Sequence, residues 1–303
     1  MPASHCFDRL AELCQKSRSA ICVGLDPHYE QLPPDPRGRG VLLHVRDFLF
    51  DVIGALEGVV PCVKPQIAFF EALGPDGYAL YFDVVREAHR RGFFVIGDIK
   101  RADIGSTAAA YAKGHLGPDD GSAVDAVTLN PYLGVDGIEP FLKVGRAKGR
   151  GVFVLARTSN PSGKEIQDVG AAGPGVAGSS GALYRRVGAL LEQWGAAHVG
   201  TGGYSDVGAV VGATHPDEGA LLRRELPKTF FLVPGYGAQG GTAADVARCF
   251  DARGGGAVVN SSRGVLFAWK EQEKSGGAAR FAELARAAAQ SASEAIRAAV
   301  AGR

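Results

Sequence analysis

The sequence predicts an α/β protein of the (β/α)8 TIM-barrel class, built as a single domain. Three observations carry that prediction. Eight short apolar runs recur along the 303 residues, amphipathic stretches separate most of them, and polar residues able to do chemistry follow nearly every run. A chain of this length is routine for one such barrel. A doubly wound open sheet is the alternative. It would want a G-x-G-x-x-G after the first strand, which is missing, and would concentrate chemistry at one switch point.

The strand candidates in order are Ala20–Leu25, Val59–Val63, Phe93–Ile96, Ala126–Leu129, Val152–Leu155, Ala209–Val211, Phe230–Val233 and Ala257–Val259. Between the first two, Val41, Leu42, Val45, Phe48, Leu49, Val52, Ile53 and Leu56 recur at helical spacing, and Gly58 ends the pattern. Tyr78–Arg91 has a similar period, with Gly92 placed as a C-terminal cap. Ala182–Trp194 and Thr242–Phe250 read as helices, and the Ala-rich Ala278–Ala301 closes the chain. No internal repeat or linker divides it.

Composition narrows the function classes. A hydrophobic fraction of 46% with 21% charged residues is ordinary for a globular protein, and a net charge of +1 offers no broad surface for nucleic acid or a membrane. Any anionic ligand must be held locally. The five cysteines (Cys6, Cys14, Cys22, Cys62, Cys249) are odd in number and contain no C-x-x-C pair, which argues against a disulfide framework or structural zinc and suits a reducing cytoplasm. The N-terminus has no signal pattern, and no apolar run reaches membrane-span length. Glycine is abundant, at 43 residues, much of it in 163–203 and 235–256.

In a barrel the C-terminal strand ends form the active face. The third run continues into Gly97-Asp98-Ile99-Lys100-Arg101-Ala102-Asp103-Ile104, where strand alternation turns Asp98 and Lys100 the same way and Asp103 lies just beyond. Taken alone this could be a solvated strand end. Asp26, after strand 1, either caps the turn before Pro27 or faces the same mouth. Lys64, after strand 2, either snorkels or joins it. Asn130-Pro131-Tyr132 after strand 4 reads as structural. Arg157 through Gly163 after strand 5 is rich in hydrogen-bonding groups suited to a polar heterocycle. Pro234-Gly235-Tyr236-Gly237-Ala238-Gln239-Gly240-Gly241 after strand 7 would let backbone N–H groups approach an anion, or would simply be flexible. Its pairing with Asn260-Ser261-Ser262-Arg263-Gly264 after strand 8 favours phosphate. Two lysines and three acids at one mouth would hold one another charged and oriented, as a reaction centre requires.

The ordered set Gly24-Leu25-Asp26-Pro27, Val63-Lys64-Pro65, Asp98 through Ile104, Thr158-Ser159-Asn160-Pro161, Pro234 through Gly241 and Asn260 through Gly264 resembles the orotidine 5′-phosphate decarboxylase family, its longer bacterial (type 2) branch in particular, from about residue 20 to 270. The resemblance implies conversion of orotidine 5′-monophosphate to uridine 5′-monophosphate, the last step of de novo pyrimidine synthesis, without a metal or organic cofactor. It implies Asp26 and Lys64 on ribose hydroxyls, Lys64 also in the charge network, and Asp98 beside the departing carboxylate. Lys100 would be the proton donor, kept charged and aimed with the help of Asp103. Ser159 would lie on the pyrimidine, Gln239 and Arg263 on the phosphate, and Pro234 in the lining. It further implies a cytoplasmic homodimer in which Asp103 and Thr107 complete the partner's site. Their spacing of four suits one face of the helix expected to start there.

A metal-dependent sugar-phosphate decarboxylase or aldolase of the same barrel group shares D-x-K-x-x-D but needs a carboxylate where this chain has Lys64. A non-catalytic nucleotide-binding barrel would be marked by loss of Asp98 or Lys100, and both are present. Insertions relative to shorter barrels are expected near 27–40, 113–123, 162–181 and 195–206. Gly163–Ser180 is too Gly-rich for a helix and is expected to be a mobile lid or partly ordered loop. Tyr236 is expected to pack rather than reach a ligand. His44, His89, His115, His198 and His215, outside every matched motif, are expected at surface or structural positions.

Overall fold

The computed structural model describes residues 5–35, 37–171 and 181–303. Eight parallel strands close into a barrel: β1 (Ile21–Leu25), β2 (Cys62–Pro65), β3 (Phe94–Arg101), β4 (Ala126–Leu129), β5 (Gly151–Arg157), β6 (Val207–Val211), β7 (Phe231–Val233) and β8 (Ala257–Ser261). Each pairs with its sequence neighbours, and β8 returns to β1 through Ile21 opposite Val259. All eight expected strands are present. The largest shift of a strand start is in β2, because Val59 is bonded back to Leu56 in the turn after the helix and Pro61 has no N–H to donate, while β3 runs five residues past its expected end, to Arg101.

Strand alternation divides the core in two. Ile21, Val23, Val63, Val95 and Val127 face outward, against apolar stripes of the surrounding helices such as Val45, Phe48, Leu49, Val52 and Ile53 of Val41–Leu56. Cys22, Cys62, Phe94, Ile96, Phe153 and Val258 face inward and fill the barrel. A helix that the strand pattern does not announce, Cys6–Ser17, plugs the N-terminal end. Its Phe7 ring lies 4.8 Å from Phe153 and 5.3 Å from Phe230. Burying such a ring stabilises the barrel by roughly 2–3 kcal/mol.

The expected helices form with adjusted ends: Gly74–Arg90, starting a turn early with proline at its N-terminus, Leu183–Gly195, Ala243–Ala247 and Phe281–Ala301. Gly92 takes φ +81°, as its capping position requires. In the Gly163–Ser180 segment, residues 172–180 lie outside the described chain. The described part corrects the expectation of no helix: Lys164–Gln167 forms one helical turn, and Gly170–Ala171 pairs antiparallel with Gly181–Ala182.

The helix after β3 is a second correction. It spans Gly105–Leu116, and Ile104 before it is extended (φ −123°, ψ 164°). Asp103 therefore precedes the helix and does not share a helical face with Thr107. Gly105, at φ +55°, makes the turn between them.

Candidate active site

Asp98, near the end of β3, is almost fully buried, yet three donors reach its carboxylate. Lys64 Nζ donates to Oδ2 at 2.7 Å, Lys100 Nζ to Oδ1 at 2.5 Å, and Thr128 Oγ1 also to Oδ1 at 2.8 Å. Burial alone would raise this carboxyl's pKa, but the two ammonium groups and their hydrogen bonds outweigh it and hold the pKa well below the usual carboxylate range. Burial likewise works against the charge on Lys64, and Asp98 and Asp26 together overcome it, lifting Lys64 above a normal lysine. The cluster is charged on both sides because each charge is the solvation shell of the other.

The backbone is shaped to present it. Between Gly97 and Arg101 the pairing of β3 with β4 slips, four residues of β3 answering to two of β4 (Val127 to Leu129). Lys100 sits within this bulge at φ +44°, a left-handed conformation that lysine rarely adopts. Thr128 fills the bulge, accepting the Lys100 backbone N–H at 3.0 Å while donating to Asp98. A backbone held in a sparsely populated region next to a charge cluster is what a preorganised site shows.

The cluster opens into a cavity of about 410 Å³ at the C-terminal mouth. Asp26, Lys64, Asp98, Lys100, Ser159, Pro234, Gln239 and Arg263 all line it, so the mouth gathers eight of the ten residues singled out from sequence. Asp103 and Thr107 are not among its lining residues. Asp103 Oδ1 accepts the N–H of Ile104 at 2.9 Å, and Thr107 is exposed. Within one chain the second acid does not join Lys100.

Opposite the cluster, the loop after β7 folds on itself. Gly241 donates to the Gly235 carbonyl, Gly237 to Gly241 and Gly240 to Gly237. Gly235 and Gly240 take φ +101° and +95°, values open to glycine and costly for other residues. Arg263, from the loop after β8, reaches the Ala238 carbonyl at 3.3 Å, which places a guanidinium against this loop. A Thr242–Asp245 capping box fixes where the next helix starts. Gly24 in β1 is required for a different reason: a Cβ there would fall 1.8 Å from Ser262 Oγ, so the strand must be bare for the strand-8 loop to close over it.

On the β5 side, Gln167 holds the loop by accepting from the Thr158 N–H at 3.0 Å and donating to Thr158 Oγ1 at 2.7 Å. Two buried acceptors in the mouth, Asp26 Oδ1 and Asn260 Oδ1, have no hydrogen-bond partner among the described residues. Unsatisfied acceptors in a polar cavity suit a ligand carrying hydroxyl or N–H donors. Tyr236 both packs against the core and lines the cavity, more than its expected packing role.

Sequence reasoning missed Thr128 and His28. Thr128 had a faint mark, the one polar residue in the run Ala126–Leu129. His28 lines the cavity with its ring 4.4 Å from Phe69. His115 is buried behind β3 and His89 is bonded to Asp125, both structural as expected.

A profile of the orotidine 5′-phosphate decarboxylase / HUMPS family matches residues 19–276. The orotidine 5′-phosphate decarboxylase of Rhodopirellula baltica is 45% identical over 269 residues, covering 85% of this chain and 87% of that protein. The structure of a Streptomyces avermitilis protein superposes with a TM-score of 0.80 at 36% identity, covering 99% of this chain and 98% of that one. The OMP decarboxylase of Leishmania donovani does so at 0.74 with 30% identity, covering 98% of each chain. By its sequence and by its barrel, the chain belongs to the orotidine 5′-phosphate decarboxylase / HUMPS family.

Proposed function

We propose that the mouth cluster removes carbon dioxide from orotidine 5′-monophosphate by charge placement alone, with Lys100 as the proton donor. The enzyme is a carboxy-lyase that makes uridine 5′-monophosphate in pyrimidine biosynthesis. The observation that carries the mechanism is the Lys64–Asp98–Lys100 ladder, buried at one end and opening at Lys100 into the cavity.

As the bond from the ring carbon to the carboxylate breaks, its electron pair stays on the ring carbon and carbon dioxide leaves. An ammonium already aimed at that carbon stabilises the developing charge more than it stabilises the substrate, and its proton then forms the new C–H bond. Lys100 is the half-exposed member of the ladder, and Asp98, Thr128 and the strained bulge fix its direction. Asp98 lies beside the departing carboxylate. Asp26 and Lys64 take ribose hydroxyls, consistent with the unpartnered Asp26 Oδ1. Ser159 contacts the pyrimidine, and Gln239 and Arg263 take the phosphate with Pro234 in the wall. Phosphate contacts far from the reacting carbon contribute by drawing the loops closed.

The working unit is a cytoplasmic homodimer, with Asp103 and Thr107 reaching the partner's mouth. Supporting this, exposed apolar side chains cluster beside them. Ile104 and Tyr111 flank the Gly105–Leu116 helix start and face, while Tyr132, Leu133 and Val135 sit on the segment packed against the Asp103 backbone near Gly137. Exposed apolar side chains gathered on neighbouring segments suit an association surface. The insertions near 27–40, 113–123, 162–181 and 195–206 are decorations on the one domain.

The test is the ultraviolet absorbance of orotidine 5′-monophosphate over time with purified protein and excess EDTA. Conversion to the uridine 5′-monophosphate spectrum is expected, with Lys100→Ala losing at least about a thousandfold of turnover while still binding the product nucleotide. A flat trace from folded protein would overturn the reading. Retained turnover in Lys100→Ala would remove the donor role.

A further inference from the structure

A second cavity, of about 460 Å³, lies at the opposite end of the barrel from the Asp98 cluster. Its floor includes Ala20 and Phe230, which immediately precede β1 and β7, and Ala257, which opens β8, whereas the catalytic mouth lies where those strands end. One wall is the plug helix Cys6–Ser17. The other is the C-terminal helix, whose Ser293, Ile296, Arg297 and Val300 fall at the three-to-four spacing of a single face. Ser293 Oγ donates to the Arg18 carbonyl at 3.4 Å and ties the two walls together.

The chemistry of this cavity is lopsided. Arg18, Arg253 and Arg297 line it, and no aspartate or glutamate is among its lining residues in the described chain. In a protein with net charge +1 that is a local excess, not a reflection of the whole surface. Arg253 is engaged, pairing with Asp251 at 3.3 Å and lying over the Tyr204 ring at 5.3 Å. Arg18 and Arg297 have no ion-pair or side-chain hydrogen-bond partner among the described residues. Arg18 caps the plug helix in a left-handed backbone conformation (φ +52°). The rest of the lining is mainly apolar, including Phe250, Ile296 and Val300. Guanidinium groups at the rim of an apolar hollow recognise an anionic head on an apolar body.

We infer that this cavity is a second ligand site, which takes a small organic anion with an aromatic or aliphatic body. Its head sits between Arg18 and Arg297, and its body lies against Ile296, Val300 and Phe250. The site is independent of the reaction at the mouth and needs no residue of the Asp98 cluster.

The test uses 8-anilinonaphthalene-1-sulfonate, a fluorescent aromatic anion, beside N-phenyl-1-naphthylamine, its uncharged counterpart. The full-length protein should bind the sulfonate saturably at one site per chain, and Arg263→Ala, which alters the catalytic mouth, should leave that site intact. The double variant Arg18→Gln/Arg297→Gln should weaken sulfonate binding at least tenfold and the uncharged probe less than twofold, with decarboxylation unchanged. Arg18→Lys/Arg297→Lys should retain most of the affinity. Sulfonate binding that is lost in Arg263→Ala, that ignores the double glutamine variant, or that falls equally for both probes would overturn the inference. So would the absence of saturable binding.

Discussion

Thr128 and Asp98 are joined by a 2.8 Å hydrogen bond across neighbouring strands, and the same Thr128 oxygen accepts the Lys100 backbone N–H at 3.0 Å. One hydroxyl therefore sets both the carboxylate that aims the ammonium and the strained backbone that carries it. Thr128→Val keeps the shape and removes both bonds. A hydrogen bond to a charged group contributes about 1.5–3 kcal/mol, so kcat should fall roughly 10- to 100-fold with KM little changed. Thr128→Ser should recover much of the rate. Steady-state kinetics of the three proteins check this, and a valine variant with normal kcat would remove Thr128 from the site.

Arg263 rests against the carbonyl of Ala238 in the glycine-rich loop, on the side of the cavity opposite Lys100. Its guanidinium is suited to a bidentate phosphate contact. Arg263→Ala should raise KM by about 10- to 100-fold, the loss of one charge-assisted contact, with a smaller effect on kcat. Guanidinium added in solution should recover part of the loss if the missing interaction is the phosphate clamp. An unchanged KM would place the phosphate elsewhere.

Asp103 and Thr107 stand outside their own chain's cavity. If each mouth is completed by a partner, inactive Lys100→Ala and Asp103→Ala chains should complement. Random exchange makes half of the dimers hybrid, each with one intact site, so an equimolar mixture should recover about a quarter of wild-type activity. Activity that stays at the level of the separate variants, with exchange confirmed by mass, would argue that each site is made by one chain.

Two histidines pull the acid stability in opposite directions. Burial behind β3 pushes His115 down to about 4, so it is neutral in the native protein. An unfolded histidine titrates near 6.5, so between about 6.5 and 4 the unfolded chain binds the extra proton and stability falls as pH drops, by up to roughly 3 kcal/mol. His89 is also penalised by burial, but its hydrogen bond to Asp125 prevails and raises it. Its contribution is complete below the unfolded value and is lost as pH rises through its native one. Thermal melts across pH 4–8 should show a shallower acid slope in His115→Leu and a shallower loss above neutral pH in His89→Gln. Slopes identical to wild type in both would contradict this assignment.

The barrel was legible because a parallel barrel leaves a periodic record: each strand is buried on both faces, so it appears as an unbroken apolar run between helical patterns. Val41–Leu56 and β4 match their expected ends to the residue for that reason. The plug helix Cys6–Ser17 was not legible. Its value lies in Phe7 meeting Phe153 and Phe230, residues far from it in the chain.

By itself, the sequence determined which residues face the mouth. A strand's two-residue alternation and the direction of a parallel barrel place Asp26, Lys64, Asp98, Lys100, Gln239 and Arg263 at one end without knowledge of any contact. Only the tertiary structure decided how they act together. The slip between β3 and β4, the left-handed Lys100 and the Thr128 bridge depend on two strands meeting out of register, and a register slip leaves no trace in either strand's own pattern. The same holds for Asp103: its spacing to Thr107 suggested a shared helical face, but the extended Ile104 and the glycine turn after it set that acid apart. Local periodicity reports burial, whereas the directions of charged side chains are set by the neighbours they meet in three dimensions.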